Sequence, residues 1–290
     1  MLAPRGGAAN RNGPAPLGAR FARNKLAVAG LVVVALFLLF CFVGPLLYST
    51  DQTHTDLTQV NLAPSGAHWL GTDAVGHDEL GRLMYGGKVS LLVGLAAGVL
   101  ATVIGTLWGS VAGYAGGWVD AVMMRVVDAG IAIPALFILL VVSAITSPGV
   151  PGLIVILGLV SWLVPSRLVR AEMLTLKRRD YVLTLRAIGG THARAIVRHI
   201  LPNSVSTIVV AATFQVADAI LLVAYVSYLG LGVQPPATDW GGMLSAGLTA
   251  AYSGRWWLIV PPGLAIILVV CAFNAIGDGL RDAFDVKGRG

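Results

Sequence analysis

The chain reads as an all-α polytopic membrane protein of about six transmembrane helices, and three observations predict it. Of its 290 residues 56% are hydrophobic and 12% charged, with mean hydropathy +0.80, whereas soluble domains carry roughly a quarter charged residues. Six predominantly apolar runs recur, each near the roughly 20 residues that a bilayer requires. The polar segments between them alternate in the sign of their charge, as the loops of membrane proteins do.

Residues 1–25 are rich in Gly, Ala, Pro and Arg without periodicity and read as a mostly disordered tail. Leu26–Tyr48 is the first span. A signal peptide is its rival, but that apolar core would be about 7–15 residues long and end in small residues; this run is longer and ends Pro45-Leu46-Leu47-Tyr48. Further spans are expected near Val89–Gly113, Ala121–Thr146, Leu153–Leu168, Ser206–Gly232 and Trp256–Ile276. Gly94, Ala96, Ala97, Gly98, Gly105 and Gly109 make the second suited to close helix packing. Arg125 and Asp128, at i and i+3, are expected to neutralise each other near the inner interface, and Pro134 to kink the third span. Cys41 and Cys271 both sit in apolar runs, so no disulfide framework is implied.

Charge sets the orientation. Residues 1–25 carry five bases and no acid, and residues 167–199 carry eight bases against Glu172 and Asp180. Residues 49–88 carry Asp51, Asp56, Asp73, Asp78 and Glu79 against Arg82 and Lys88. Both termini and the 167–199 segment are therefore expected on the cytoplasmic side. The net charge of +6 thus belongs to loops flanking apolar runs, and nucleic acid is not the implied partner.

Between the fourth and fifth spans lies a polar, basic, helical stretch, residues 180–203. Gly189-Gly190 breaks its pattern; Ala193, Ile196, Val197 and Ile200 then recur at i, i+3, i+4 and i+7, and Pro202 punctuates the start of the next apolar run. Such a short amphipathic helix is shaped to sit in a groove of a soluble partner. The stretch resembles the cytoplasmic coupling loop of ABC importer permeases, with Gly189, Leu201 and Pro202 at the family spacing. It departs in Leu183-Thr184-Leu185, which replace the family's Glu-Ala-Ala, and in His199, which replaces an Ile. The resemblance assigns ATPase coupling to Arg186, Ala187, Gly189, Ala193, Ile196, Val197, Leu201 and Pro202.

Three further strings resemble the dipeptide and oligopeptide permeases of that family. They are His68-Trp69-Leu70-Gly71-Thr72-Asp73 with Gly76, Asp78 and Arg82; Ser227-Tyr228-Leu229-Gly230-Leu231-Gly232-Val233-Gln234-Pro235-Pro236 followed by Trp240-Gly241-Gly242-Met243-Leu244; and Ala272–Asp282. His77 stands where an Arg is usual. The likeness implies a type I ABC importer transmembrane domain with a cytoplasmic coupling helix. Its parts would be a tail (1–25), a first transmembrane helix (26–48), an outer segment (49–88), a core (89–280) with its coupling loop at 170–203, and a tail (281–290). It implies a bacterial inner-membrane location, a homologous second permease, two cytoplasmic ATP-binding subunits, an extracytoplasmic substrate-binding protein, and ATP and Mg held by the partners rather than by this chain. Peptides are the implied cargo; nickel complexes and glutathione are carried by related permeases.

Asp218 lies near the middle of the fifth span, where a carboxylate must face a polar cavity or a partner. It is the candidate for lining the translocation path, with Ser227 placed alongside it; a buried pair with the partner permease, or a protonated carboxyl hydrogen-bonded inside the bundle, is the alternative. His54, His68, His77 and Asp73 offer metal-ligand chemistry, yet they lack the close spacings of zinc sites, and a packed outer cap is preferred. Gly86-Gly87-Lys88-Val89 superficially resembles a phosphate loop, but Arg82 occupies the first Gly position and Val89 that of the Ser or Thr. No nucleophile elbow or metalloprotease helix is present, so no catalytic residue is expected. A self-sufficient secondary transporter would call for internal repeats or a polar pore ring, and no convincing repeat relates the two halves.

Overall fold

The computed structural model describes residues 16–50, 52, 55–189 and 191–285, and these are helical almost throughout. A short helix α1 (Leu17–Phe21) leads into α2 (Lys25–Phe42), whose first turn is capped by the Asn24 carboxamide oxygen accepting from Ala27 N–H. One turn, α3 (Gly44–Leu47), precedes an irregular cap. Then follow α4 (Glu79–Ala115), α5 (Gly117–Ile131), α6 (Ala135–Thr146), α7 (Val150–Ser161) and α8 (Leu163–Leu176). A loop holding α9 (Asp180–Ala187) and α10 (His192–Arg194) leads to α11 (Leu201–Tyr228), α12 (Trp240–Leu248) and α13 (Val260–Asp285).

Four stretches, Lys25–Phe42, Glu79–Ala115, His192–Tyr228 and Trp256–Asp285, are long and apolar enough to cross a bilayer. The bent pairs α5–α6 (75°) and α7–α8 (45°) bring the number to six when each pair is one span. This is the expected multi-pass helical fold, with four differences of detail. Residues 17–21, expected within a disordered tail, form α1, and Phe21 packs into the core beside α13; residues 1–15 lie outside the described residues. At 37 residues α4 runs ~55 Å, well beyond a hydrocarbon core of about 30 Å, because Asp78 caps it well before the apolar stretch that begins at Val89. At Pro134 the chain does more than kink: α5 ends and α6 restarts. Around Trp162 the expected fourth span is broken as well.

Helix α4 is the post around which the rest is set. A Cβ added at Gly105, Gly109 or Gly113 would stand 2.8, 2.3 or 2.8 Å from the carbonyl oxygens of Trp162, Ser166 and Arg170. These glycines recur every four residues, so they share one face, and the backbone of α8 lies directly on it. Gly94 and Gly98 make room for α11, the first for the Ile220 side chain and the second for the backbone at Val216. The glycine content noted in the sequence thus serves two helix contacts. One core joins α2, α4, α11, α12 and α13 around Leu91, Ile220, Trp240 and Val269; a second joins α4, α6, α7 and α11 around Val93, Leu139, Leu157 and Val223.

Charges near the α5–α8 contact pair across helices rather than along them. Arg170 grips Asp120 with two donors, Nε to Oδ1 at 2.5 Å and Nη2 to Oδ2 at 2.6 Å. Arg167 Nη2 donates to Asp128 Oδ1 at 2.5 Å. The expected Arg125–Asp128 pair is therefore not the one formed: tertiary packing brings Arg167 to Asp128, and Arg125 is exposed.

Gly109→Val is expected to cost about 1–3 kcal/mol, because α8 has to move off α4. The thermal aggregation midpoint of the detergent-purified protein should fall by several degrees, whereas Gly18→Val, with open space around its Cβ position, should leave it unchanged.

Candidate functional site

Three regions carry the residues singled out from the sequence. The first is the loop between α8 and α11. Gly189 has φ +83°, a left-handed turn that suits glycine, with open space around it. Thr191 then caps the next helix by accepting from Arg194 N–H at 3.3 Å. Residues Ala195–Ile200 form a π-helix that runs straight into α11, and Leu201 N–H bonds the carbonyl of Ile196, five residues back. Pro202 explains the register: it has no N–H to give, and its ring displaces the carbonyl four residues earlier, so the wider turn absorbs it without ending the helix. Pro202 was expected to separate coupling helix from span. Instead His192–Tyr228 is one continuous rod.

The wider turn also changes which face is buried. Ala195 and Ile200, five residues apart, pack against Val169, Met173, Leu176 and Val182, with Leu201 half-buried beside them. Of the expected apolar stripe only Ile200 is fully buried; Ile196 is half-buried, and Ala193 and Val197 are exposed. Tyr114 Oη lies 2.9 Å from His192 Nδ1, and Lys177 Nζ donates to the Gly113 carbonyl at 2.7 Å, tying the loop to the end of α4. Apolar side chains that remain outward on this loop include Leu183 (49% exposed), Ile188 (76%) and Val197 (65%), with Ala187, Gly189, Ala193 and Pro202 also exposed. Leu183 and Ile188 were not among the expected coupling residues; apolar side chains on a short polar loop were the signal available. The Arg186 side chain and Gly190 lie outside the described residues.

The second region is a cavity of about 340 Å³ beside the middle of α11, bordered by both helix breaks through Pro134 and Leu163. Gln215, Asp218, Leu222 and Tyr225 form its α11 wall, a stripe at helical spacing. Asp218 is exposed on that wall and has no hydrogen bond or ion pair among the described residues. Ser227 is not with it. Nine residues further on, two and a half turns, it faces the opposite side. It is 4% exposed, and its hydroxyl donates to Asp239 Oδ2.

That bond belongs to the third region, the end of the bundle opposite the loop. Asp239 also caps α12, accepting from Gly242 N–H at 2.7 Å. Burial pushes its carboxyl above the usual carboxylate range, and the bonds from Ser227 and from backbone N–H groups of Gly242, Gly241 and Val233 partly oppose this. Gly232 passes so close that a Cβ there would meet Ser227 Oγ at 1.8 Å, which accounts for the second glycine of Leu-Gly-Leu-Gly. Trp240 is fully buried; its backbone N–H donates to Ser90 Oγ at 3.1 Å, and its indole N–H donates to the Leu83 carbonyl at 3.0 Å.

The cap before α4 is held by side chains. His68 bridges Asp78 Oδ2 (2.9 Å) and Gln59 Oε1 (2.6 Å), and Tyr48 Oη donates to the same Asp78 oxygen at 2.9 Å. Burial first, then that bond, pushes the Tyr48 hydroxyl up to about 12. His77 instead meets Asp73, and Arg82 Nη1 donates to His77 Nδ1 at 2.9 Å while Nη2 donates to Thr238 Oγ1 at 3.2 Å. His68 and His77 thus turn to different carboxylates in a packed cap; His54 lies outside the described residues.

Residues 105–289 match the family described as binding-protein-dependent transport system inner membrane component, and residues 18–64 match the N-terminal TM domain of oligopeptide transport permease C. The chain is 41% identical over 272 residues to the oligopeptide transport system permease protein OppC of Escherichia coli, covering 93% of this chain and 90% of that one. It is 38% identical over 268 residues to the dipeptide transport system permease protein DppC of Bacillus subtilis, covering 92% and 84%. A Brucella suis protein with a provisional peptide-permease name is 44% identical over 269 residues, covering 92% and 89%. With its bundle of membrane-length helices, and matched along most of its length, the chain belongs to the family of binding-protein-dependent transport system inner membrane components.

Proposed function

We propose that this chain is one of two transmembrane subunits of an ATP-driven importer and forms half of a path for di- and oligopeptides. The exposed apolar side chains of the loop, Leu183 and Ile188 before the rod that carries Asp218 and Val197 on it, are the observation behind this reading. An apolar patch on an otherwise polar and basic loop is a seat for a soluble partner. The names of the relatives from Escherichia coli and Bacillus subtilis support peptides as cargo.

In this reading the chain itself hydrolyses nothing. Two cytoplasmic ATPase subunits hold ATP and Mg, a homologous permease stands alongside, and an extracytoplasmic binding protein delivers cargo at the cap. The basic bias of the loop side supports a bacterial cytoplasmic location for that side and both termini. ATP binding has to favour one arrangement over the other by on the order of 5 kcal/mol to move the population decisively. Because the loop helix and α11 are one rod, a push on Val197 reaches the Asp218 wall without crossing a joint. The Asp218 carboxylate attracts a cationic group, and the amino terminus of a peptide supplies one.

ATP-dependent uptake of a labelled tripeptide into liposomes, with all five subunits present, tests the reading; uptake by this chain alone without nucleotide would contradict it. Val197→Asp is expected to leave the helices inserted and to cut substrate-stimulated ATPase activity at least about tenfold, since a charge replaces an apolar docking contact. Full retained stimulation would remove the loop from the coupling route. Asp218→Asn should raise the half-saturating peptide concentration about tenfold with assembly unchanged, the size of one lost charge-assisted bond; unchanged uptake by an assembled variant would leave Asp218 without this role.

A further inference from the structure

A second cavity, of about 530 Å³, opens between the cap, the start of α4 and the loop leading to α12. Its polar wall contains Asp73, His77, Glu79 and Arg82; its apolar wall is built from Pro235, Pro236, Met243 and Leu258. Asp73 and Arg82 neutralise each other at 3.5 Å. Glu79 is different. It is 2% exposed and makes no side-chain hydrogen bond or ion pair among the described residues. His77, 8% exposed, has its Nε2 buried without a partner. Its Nδ1 lies 2.9 Å from Arg82 Nη1 and 3.1 Å from Asp73 Oδ2; Arg82 has only donors, and with the shorter contact taken as its bond to the Nδ1 lone pair the ring proton sits on Nε2.

The cavity therefore presents the Glu79 carboxyl, the His77 Nε2 and the Gln52 Oε1, each without a side-chain partner among the described residues, beside apolar surface. Burying a carboxylate without a partner is costly, and a cation bound against it recovers that cost. A cation alone leaves the Nε2 proton idle. An ammonium group with a carbonyl two bonds away satisfies both, and that is the amino-terminal end of a peptide. The volume lies within the range of small-molecule sites and suits a peptide of two or three residues, with the proline and methionine wall receiving the first side chain.

We infer that this cavity is a receiving site for the free amino terminus of the peptide cargo, held by Glu79 and His77 before the peptide reaches Asp218. The inference rests on the peptide reading above. In chain order the site lies at the cap end and Asp218 in mid-span, so the amino terminus would pass from one carboxylate to the next.

The test uses the complete transporter in nanodiscs, with radiolabelled trialanine and N-acetyl-trialanine as probes, and ATP-driven uptake in liposomes as a second readout. Two variants are compared. Glu79→Gln removes the charge; Ala246→Phe narrows the cavity from an exposed lining position and leaves the charges in place. Both are expected to weaken trialanine binding about tenfold, the loss of one charge-assisted hydrogen bond or of the room to form it, with nucleotide-driven ATPase activity in the absence of peptide unchanged. N-acetyl-trialanine should bind the wild type as weakly as trialanine binds Glu79→Gln. If the wild type takes up trialanine but both variants bind and transport it normally, the site is overturned and the peptide reading stands. Equal binding of both probes to the wild type also overturns it. If the wild type takes up no peptide with ATP and binding protein present, the peptide reading falls and the site falls with it.

Discussion

Everything in this bundle depends on how closely α8 and α11 approach α4. Gly105, Gly109 and Gly113 let the backbone carbonyls at the start of α8 lie where any side chain would collide, and Gly94 and Gly98 admit the Ile220 side chain and the Val216 backbone of α11. In a membrane the apolar effect does not distinguish helix from lipid, so this intimacy of backbone contact is what holds the pieces in register. The ion pairs Arg170–Asp120 and Arg167–Asp128 then fix the end of α8, and Trp240 wedges α12 against the other end of α4. The two helices placed this way carry the exposed loop between them, and one of them carries Asp218.

The loop is therefore not a loose appendage. Its π-helical turn lets Pro202 sit inside a helix that continues to Tyr228, and Ala195 and Ile200 clamp it to the end of α8. The outward face is left with apolar side chains that stay exposed among the described residues. At mid-bundle, the breaks at Pro134 and Trp162 open space beside the same rod. The exposed Val197 and a carboxylate beside a cavity thus lie on one continuous helical element.

Much of this was legible in the sequence, for reasons that differ by scale. Apolar runs of bilayer length gave away the spans, because lipid demands them whatever the packing. The α4 glycines were legible because close backbone contact has few other solutions. What was not legible depended on partners distant in the chain. Asp128 had Arg125 three residues away, and only the fold reveals that Arg167 takes it. Pro202 read as a boundary because proline usually ends a helix; the π turn that rescues it leaves no mark in a 3.6-residue pattern, and the buried pair at 195 and 200 has a five-residue spacing instead. Ser227 shares a helix with Asp218 but faces Asp239, a separation that counting residues around the helix would have exposed. Glu79 read as one more acid in an outer segment, and its burial followed only once the cap had folded over it.

The central claim is mechanical: the docking face and the Asp218 wall move as one body. The most direct measurement is the distance between spin labels at Val197 and Tyr228, both exposed, in the assembled transporter with and without ATP. A rigid rod predicts a single distance of about 45 Å in both states. A change of more than about 5 Å on ATP binding, the rise of one helical turn, would show a hinge between them and contradict the account.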